Sequence, residues 1–355
     1  MNLIKMSKKL FTIANVLGVL TLLCCACGQR NEKTVVIEKN IVHAAALEDC
    51  FRIESRITLK ESESAPMRGV FKLLCRNGEV YVSDGRNLFV FDDKGSFCRN
   101  IGNQGRGPGE YLRISDFSVG DDAVYVMDSN RKILKYGKDG AFMTDAELDD
   151  FFASIFLYQD KLYLVSANQN LGKRIHRWNA VSLQEESAFC NISEADLKYR
   201  HFMGTTSFFE TEDGLLFHEP LNNTVYAVED ASLRPFCDFD FYGSSAPDSF
   251  WNESFMDVMD VYARLKQNGY SAGLPYFAMD GGTMLYHFVD PDGHRYMGVW
   301  AEGGKRQLQF NAFALADGST VPVDQIGKFF YGSDDMYLVV GQDDGTFELM
   351  KVRLR

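Results

Sequence analysis

IGNQGRGPGEYLRISDFSVGDDAVYVMDSNRKILKY, residues 101–136, sets out a glycine-rich connection, a strand, a turn, a strand ending in Asp128, a polar turn and a further strand. Much of this order occurs once before it and returns four times after it in weakening form. Six strand pairs follow one another along the chain. They are Val80–Asp84 with Leu88–Asp92, Val124–Asp128 with Ile133–Gly137, Leu162–Ser166 with Ile175–Asn179, Leu215–Glu219 with Val225–Glu229, Met284–Phe288 with Tyr296–Trp300, and Met336–Val340 with Phe347–Lys351. A further apolar segment precedes each pair, and outer segments such as Phe97–Ile101 and Arg306–Phe313 follow several of them. Four-stranded units of about 40–45 residues are what a propeller blade requires.

The expected fold is therefore all-β, a six-bladed β-propeller with four-stranded blades plus one inserted helix. The blades are expected near 70–110, 111–150, 151–200, 201–245, 274–315 and 326–355. The helical insertion spans 248–267, where Phe255, Val258, Met259, Tyr262 and Leu265 recur at helical spacing on one packing face. Phe51–Lys60 alternates apolar and polar residues and stands alone before the first unit. The last unit runs out at Arg355 with little left to serve as an outer strand. Closing a ring removes exposed sheet edges, so 51–60 is expected to complete the last blade from the other terminus.

Lys5, Lys8 and Lys9 precede an apolar run over residues 10–23 that ends in Cys24, Cys25, Ala26, Cys27 and Gly28. A basic start, a short apolar run and small residues make an export signal, here 1–26, too short for a comfortable membrane span. A cysteine at the cleavage point resembles the lipobox of bacterial lipoproteins, which places lipid attachment at Cys27, with Cys25 as competitor. Residues 27–49 then read as a flexible tether ahead of a folded domain over 50–355. The formal charge is −12, and loss of residues 1–26 removes three lysines and no acids, leaving −15. Such a balance excludes a nucleic-acid surface, which needs clustered basic residues. Five cysteines remain beyond the signal, Cys50, Cys75, Cys98, Cys190 and Cys237, without a CxxC spacing. That argues against zinc and favours free thiols.

Residues 102–140 resemble an NHL-type repeat, through Gly105, Gly107, Gly109 and Tyr111, the VYVMD strand, SNRKILKY and a glycine turn. Together with the export signal, GRGPGEY further resembles the six-bladed β-propeller lipoproteins of Gram-negative anaerobes. The resemblance is specific over the first two blades and architectural over the other four. It implies an exported propeller and little about chemistry. In the repeat, the glycines serve positive φ angles and close backbone approach at the crossing between blades. Tyr111 plugs between blades, and Asp84 and Asp128 bond turn backbone.

A nucleotide reading of GNQGRGPG fails, because residues 113–118 continue as strand where a phosphate loop needs a helix. Arg106, Glu110 and Arg113 flank the crossing and are candidates to line one face of the ring as ligand-binding residues. The competing reading is a solvated loop with ion pairs. His218 and His287 hold equivalent positions in blades four and five and are the other ligand candidates. No third ligand accompanies them, so no metal site is assigned, and no catalytic set can be assembled. The expected function is an exported, lipid-anchored, non-enzymatic binding or scaffolding protein of the cell envelope, facing the periplasm or cell surface. It has an envelope protein or glycan as partner and no cofactor. The alternative is a lactonase- or lyase-like propeller enzyme holding calcium or zinc in the central channel.

Overall fold

The computed structural model describes residues 33–37, 41–60, 66–167, 172–192, 207–212, 214–301, 306–314, 318–325, 328–331, 336–342 and 345–355. The export signal and Cys27 lie outside the described residues. Among the described residues strands dominate, with three helices: α1 (Leu47–Cys50), α2 (Asp248–Trp251) and α3 (Val258–Asn268). Among the described residues, no helix is long and apolar enough to cross a membrane.

The fold is an all-β propeller of seven blades, which corrects the expected six. Blade 1 comprises Lys72–Arg76, Glu79–Ser83, Leu88–Phe91 and Phe97–Asn100, hydrogen-bonded in that order. Blade 2 comprises Ile114–Val119, Ala123–Asp128, Lys132–Gly137 and Phe142–Glu147. Blade 3 comprises Phe152–Tyr158, Lys161–Ser166, Lys173–Asn179 and Glu185–Asn191. Blades 4 and 5 each carry a fifth, N-terminal strand rather than the expected four. Lys33–Ile37 lies parallel to the outer strand Ser232–Phe241 of blade 4, and Ile41–Val42 parallel to Arg306–Phe310 of blade 5. Blade 6 is the additional one, a three-stranded sheet of Ala312–Ala314, Thr320–Pro322 and Ala45–Ala46. It is short, and blades 5 and 7 also touch each other directly. Blade 7 comprises Lys328–Tyr331, Met336–Gly341 and Phe347–Leu354, completed by Phe51–Leu59 antiparallel to the C-terminal strand.

The count differs for a physical reason. Expected as one outer strand, Arg306–Phe313 breaks at Asn311, and the chain beyond it starts a separate sheet whose third strand comes from residues 45–46. The same finding corrects the tether expected over 27–49. Residues 33–46 contribute three parallel edge strands, each satisfying backbone groups that an outer strand would otherwise leave open.

Apolar packing sits between blades. Along Val124–Asp128, Val124 and Val126 pack with Tyr81, Leu88 and Val90 of blade 1. Tyr125 and Met127 pack with Ile155, Leu162 and Leu164 of blade 3. Successive side chains of a strand point to opposite faces. Both faces of each blade are therefore covered, which is why the second strands read as unbroken apolar runs. First strands contact one another between blades 7 and 1, 1 and 2, 2 and 3, and 4 and 5, placing them around the axis.

Candidate functional site

The glycine-rich crossing joins the outer strand of blade 1 to the inner strand of blade 2. Gly102 and Gly109 take φ of +61° and +72°. A Cβ on Gly102 would stand 2.7 Å from the Tyr136 ring, and one on Gly109 2.5 Å from that of Phe142. Gly105 and Gly107 do not adopt positive φ; they leave room for the Glu110 carboxylate, which accepts the Gly107 N–H at 2.7 Å. Tyr111 is buried between blades 1 and 2 and donates its hydroxyl to the Ile101 carbonyl at 3.0 Å. Of the residues expected to line this face, Glu110 is half-buried and closes the loop, whereas Arg106 and Arg113 are exposed.

The buried acids beneath this face hold its loops together. Asp84 accepts the Arg86 and Asn87 N–H groups at 2.8 and 2.7 Å, as an Asx turn does. Asp128 reaches instead to the incoming segment, accepting the N–H groups of Leu112 and Arg113 at 3.1 and 3.0 Å. The crossing and the turns after the second strands consequently share one face of the propeller, here the crossing face.

Nearer the axis lies a residue that no motif singles out. Asp116, buried in the inner strand of blade 2, pairs with Lys72 of blade 1 at 2.6 Å. Its other oxygen accepts the Ile155 N–H of blade 3 at 2.8 Å, and Ser118 likewise accepts from Leu157 at 2.9 Å. Side chains of one inner strand thus cap the open edge of the next. The only signal in the sequence is an acid within the otherwise strand-like ISDFSV. Between blades 3 and 4, Arg174 and Glu219 form a buried ion pair, and Arg174 also donates to the Ser166 carbonyl at 2.7 Å.

The two candidate histidines stand in separate settings. His218 Nε2 bonds to the Asn222 carbonyl oxygen at 2.9 Å, and its ring lies 6.0 Å from that of Phe277. His287 is buried in the second strand of blade 5, Thr283–Val289, and burial, with help from Arg295, pushes its pKa down to about 3. It is neutral at neutral pH. Asp290, Asp292 and His294 bring three ligand-type atoms within 4.8 Å of one another. They occupy a hairpin tip away from the inner strands, where Asp290 accepts the N–H groups of Asp292 and His294 at 2.9 and 2.8 Å. DPDGH is legible in the sequence as this turn.

The insertion after blade 4 lies on the crossing face. Asp257 caps α3 by accepting the Asp260 N–H at 2.9 Å, and Gly269 ends it at φ +70°. Val261 and Leu265 pack with Phe250, Phe255, Leu221 and Val289. The inward stripe includes Val261, whereas Met259, expected on it, is exposed. Two cavities, of about 460 and 620 Å³, open on the opposite side; Arg76 and Asp121 line the first, Glu54 and Asp280 the second. All five described cysteines are free thiols.

With this geometry in place, a family profile matches residues 33–313. The chain belongs to the DUF4934 family. Its description is a domain of unknown function. No curated protein matches. A solved structure from Bacteroides fragilis, described as an exported protein, superposes with a TM-score of 0.68 at 17% identity, covering 91% of this chain and 99% of that one. BamB from Moraxella catarrhalis gives 0.47 at 9% identity, covering 85% and 99%. The extracellular domain of a protein described as a hybrid two-component system from B. thetaiotaomicron gives 0.45 at 11%, covering 86% and 39%. At these identities the likeness speaks to the propeller fold alone. This DUF4934 chain shares that architecture while stitching its outer rim with its own N-terminus.

Proposed function

We propose that this DUF4934 protein is an exported, lipid-anchored propeller of the cell envelope that acts as a non-enzymatic binding or scaffolding protein, related to the NHL-like propeller lipoproteins, and presents its crossing face to a partner. The observation that carries this reading is the course of the N-terminus. Lys33–Ile37 runs parallel to Ser232–Phe241, which leads into the insertion on the crossing face, so the chain enters the rim of blade 4 from the opposite side. Six residue steps separate Cys27 from Lys33, and they reach at most roughly 20 Å. An acylated Cys27 would hold the rim near the membrane and turn the crossing face outward. Several acyl chains give stable anchoring, since each buried CH₂ contributes about 0.8 kcal/mol.

Cells given a radiolabelled fatty acid test the anchor. Label is expected on the wild-type protein in the membrane fraction and absent from Cys27→Ser; an unlabelled, soluble wild-type protein sinks the reading. Metal analysis of the purified protein tests its non-enzymatic part, because stoichiometric calcium or zinc would point to the lactonase- or lyase-like alternative.

A further inference from the structure

On the crossing face of a protein with a formal charge of −12, Arg68, Arg86, Arg106, Arg113 and Arg131 stand exposed around blades 1 and 2. Backbone contacts string four of them together. Asp84 accepts the Arg68 N–H at 3.4 Å, and the Gly85 carbonyl beside Arg86 accepts from Ile114, the neighbour of Arg113, at 3.0 Å. The Arg113 carbonyl accepts from Ser129, two residues before Arg131, at 2.9 Å. Arg106 stands on the crossing itself, tied in where Gly105 donates to the Tyr111 carbonyl at 2.9 Å. Among the described residues, Arg68, Arg86, Arg106 and Arg113 make no side-chain ion pair. Arg131 lies over the ring of Phe151, 5.6 Å from its centroid, and reaches the Asp149 carbonyl at 3.4 Å. Phe151 is 45% exposed, and Phe71, against Gly85 at the other end of the row, is 61% exposed.

The acids beside the row lie lower or at its margin, whereas the exposed acids of the insertion and of the Asp290–His294 turn belong to blades 4 and 5. Asp84 and Asp128 are buried and Glu110 half-buried, each bonded to backbone N–H groups. Asp149 and Asp150 bound the row at blade 3. The exposed guanidinium groups of Arg68, Arg86, Arg106 and Arg113 are therefore open to bidentate contact with carboxylate or sulfate groups. At physiological salt, fields fade over about 8 Å, so the local row outweighs the distant negative charge.

Resting on the binding reading above, we infer that this row is a docking surface for an acidic polysaccharide, carrying carboxylate or sulfate groups, with Phe71 and Phe151 as flat apolar platforms for sugar rings. A peptide fits less well. Strand addition needs open backbone donors, and those of Arg86, Asn87, Leu112 and Arg113 are taken by Asp84 and Asp128. Nucleic acid, with one charge per roughly 1.7 Å of duplex, is too densely charged for an acidic protein beyond the row.

Detergent-solubilised full-length protein is titrated with polygalacturonate, dextran sulfate, neutral dextran and poly-L-glutamate by calorimetry at low and high salt. Binding to polygalacturonate, dextran sulfate or both is expected, lost at high salt and absent for neutral dextran; the polymer that binds identifies the anionic group. The combined Arg86→Ser, Arg106→Ser and Arg113→Ser variant is expected to bind roughly tenfold more weakly. Its thermal midpoint should be unchanged, while Arg234→Ser at the rim binds as the wild type. Failure to bind either acidic polysaccharide, an unaltered affinity in the triple variant, or equally tight binding of poly-L-glutamate overturns the inference. A fatty-acid-labelled membrane protein that ignores both polymers would overturn this inference and leave the anchoring intact.

Discussion

His287 shows what one buried side chain contributes to the pH response. Its folded pKa lies at about 3 against an ordinary value of 6.5. Between those values the unfolded chain binds the extra proton, so folding stability falls as pH falls, by up to about 1.4 kcal/mol per pH unit. Urea unfolding at pH 7 and pH 4.5 should show the wild type losing about 2 kcal/mol more than His287→Leu. Equal losses would show that the imidazole is accessible to protons in the folded state. Gly102 tests the crossing. Its φ of +61° and the Tyr136 ring, 2.7 Å from where a Cβ would stand, leave no place for alanine, because the Tyr136 hydroxyl is itself bonded to the Gly109 carbonyl at 3.0 Å. Gly102→Ala should cost about 2–3 kcal/mol in chemical unfolding, whereas Gly172→Ala, with open space around it, should be near neutral.

At the scale of elements, the N-terminal strand of blade 4 is the informative case. Val35 and Ile37 are fully buried and pair with Phe239 and Phe241, whereas Val36 between them is exposed. The alternation predicts the outcome of substitution. Val35→Asp with Ile37→Asp should lower stability by about 4 kcal/mol or more, by burying charge in an apolar cluster. Val36→Asp should leave the thermal midpoint nearly unchanged; equal damage from both would mean that the strand's register differs. TVVI lies inside the segment expected to be a flexible tether, because so short an apolar stretch carries no local mark of the edge it will cover. The insertion was more legible, since its apolar spacing marks a helix, but the single helix expected over 248–267 is two, α2 and α3, the second capped by Asp257 and ended by Gly269. Its inward face was only partly legible, since Val261 turns in and Met259 out once Leu221 and Val289 are brought beneath it.

At the scale of the whole molecule, the repeated strand pairs determined an all-β propeller because two-residue alternation and polar turns are local properties, written within a few residues of one another. The GRGPGEY crossing was likewise readable as a seam between blades, down to Tyr111 as the plug. Phe51–Lys60 was identifiable as a strand lacking a partner, and the short C-terminus as a strand lacking an edge. The blade count was not readable. Blade 6 draws Ala45–Ala46 to Ala312–Ala314 across more than two hundred residues, and such short strands have no period of their own. Nor was the alignment of Arg68, Arg86, Arg106, Arg113 and Arg131, which lie in separate loops, or the bridging of three inner strands by Asp116. Local patterning determined the elements and their kind. Only the closed ring decided which edges meet and which charges share a face, because both depend on contacts between residues far apart in the chain.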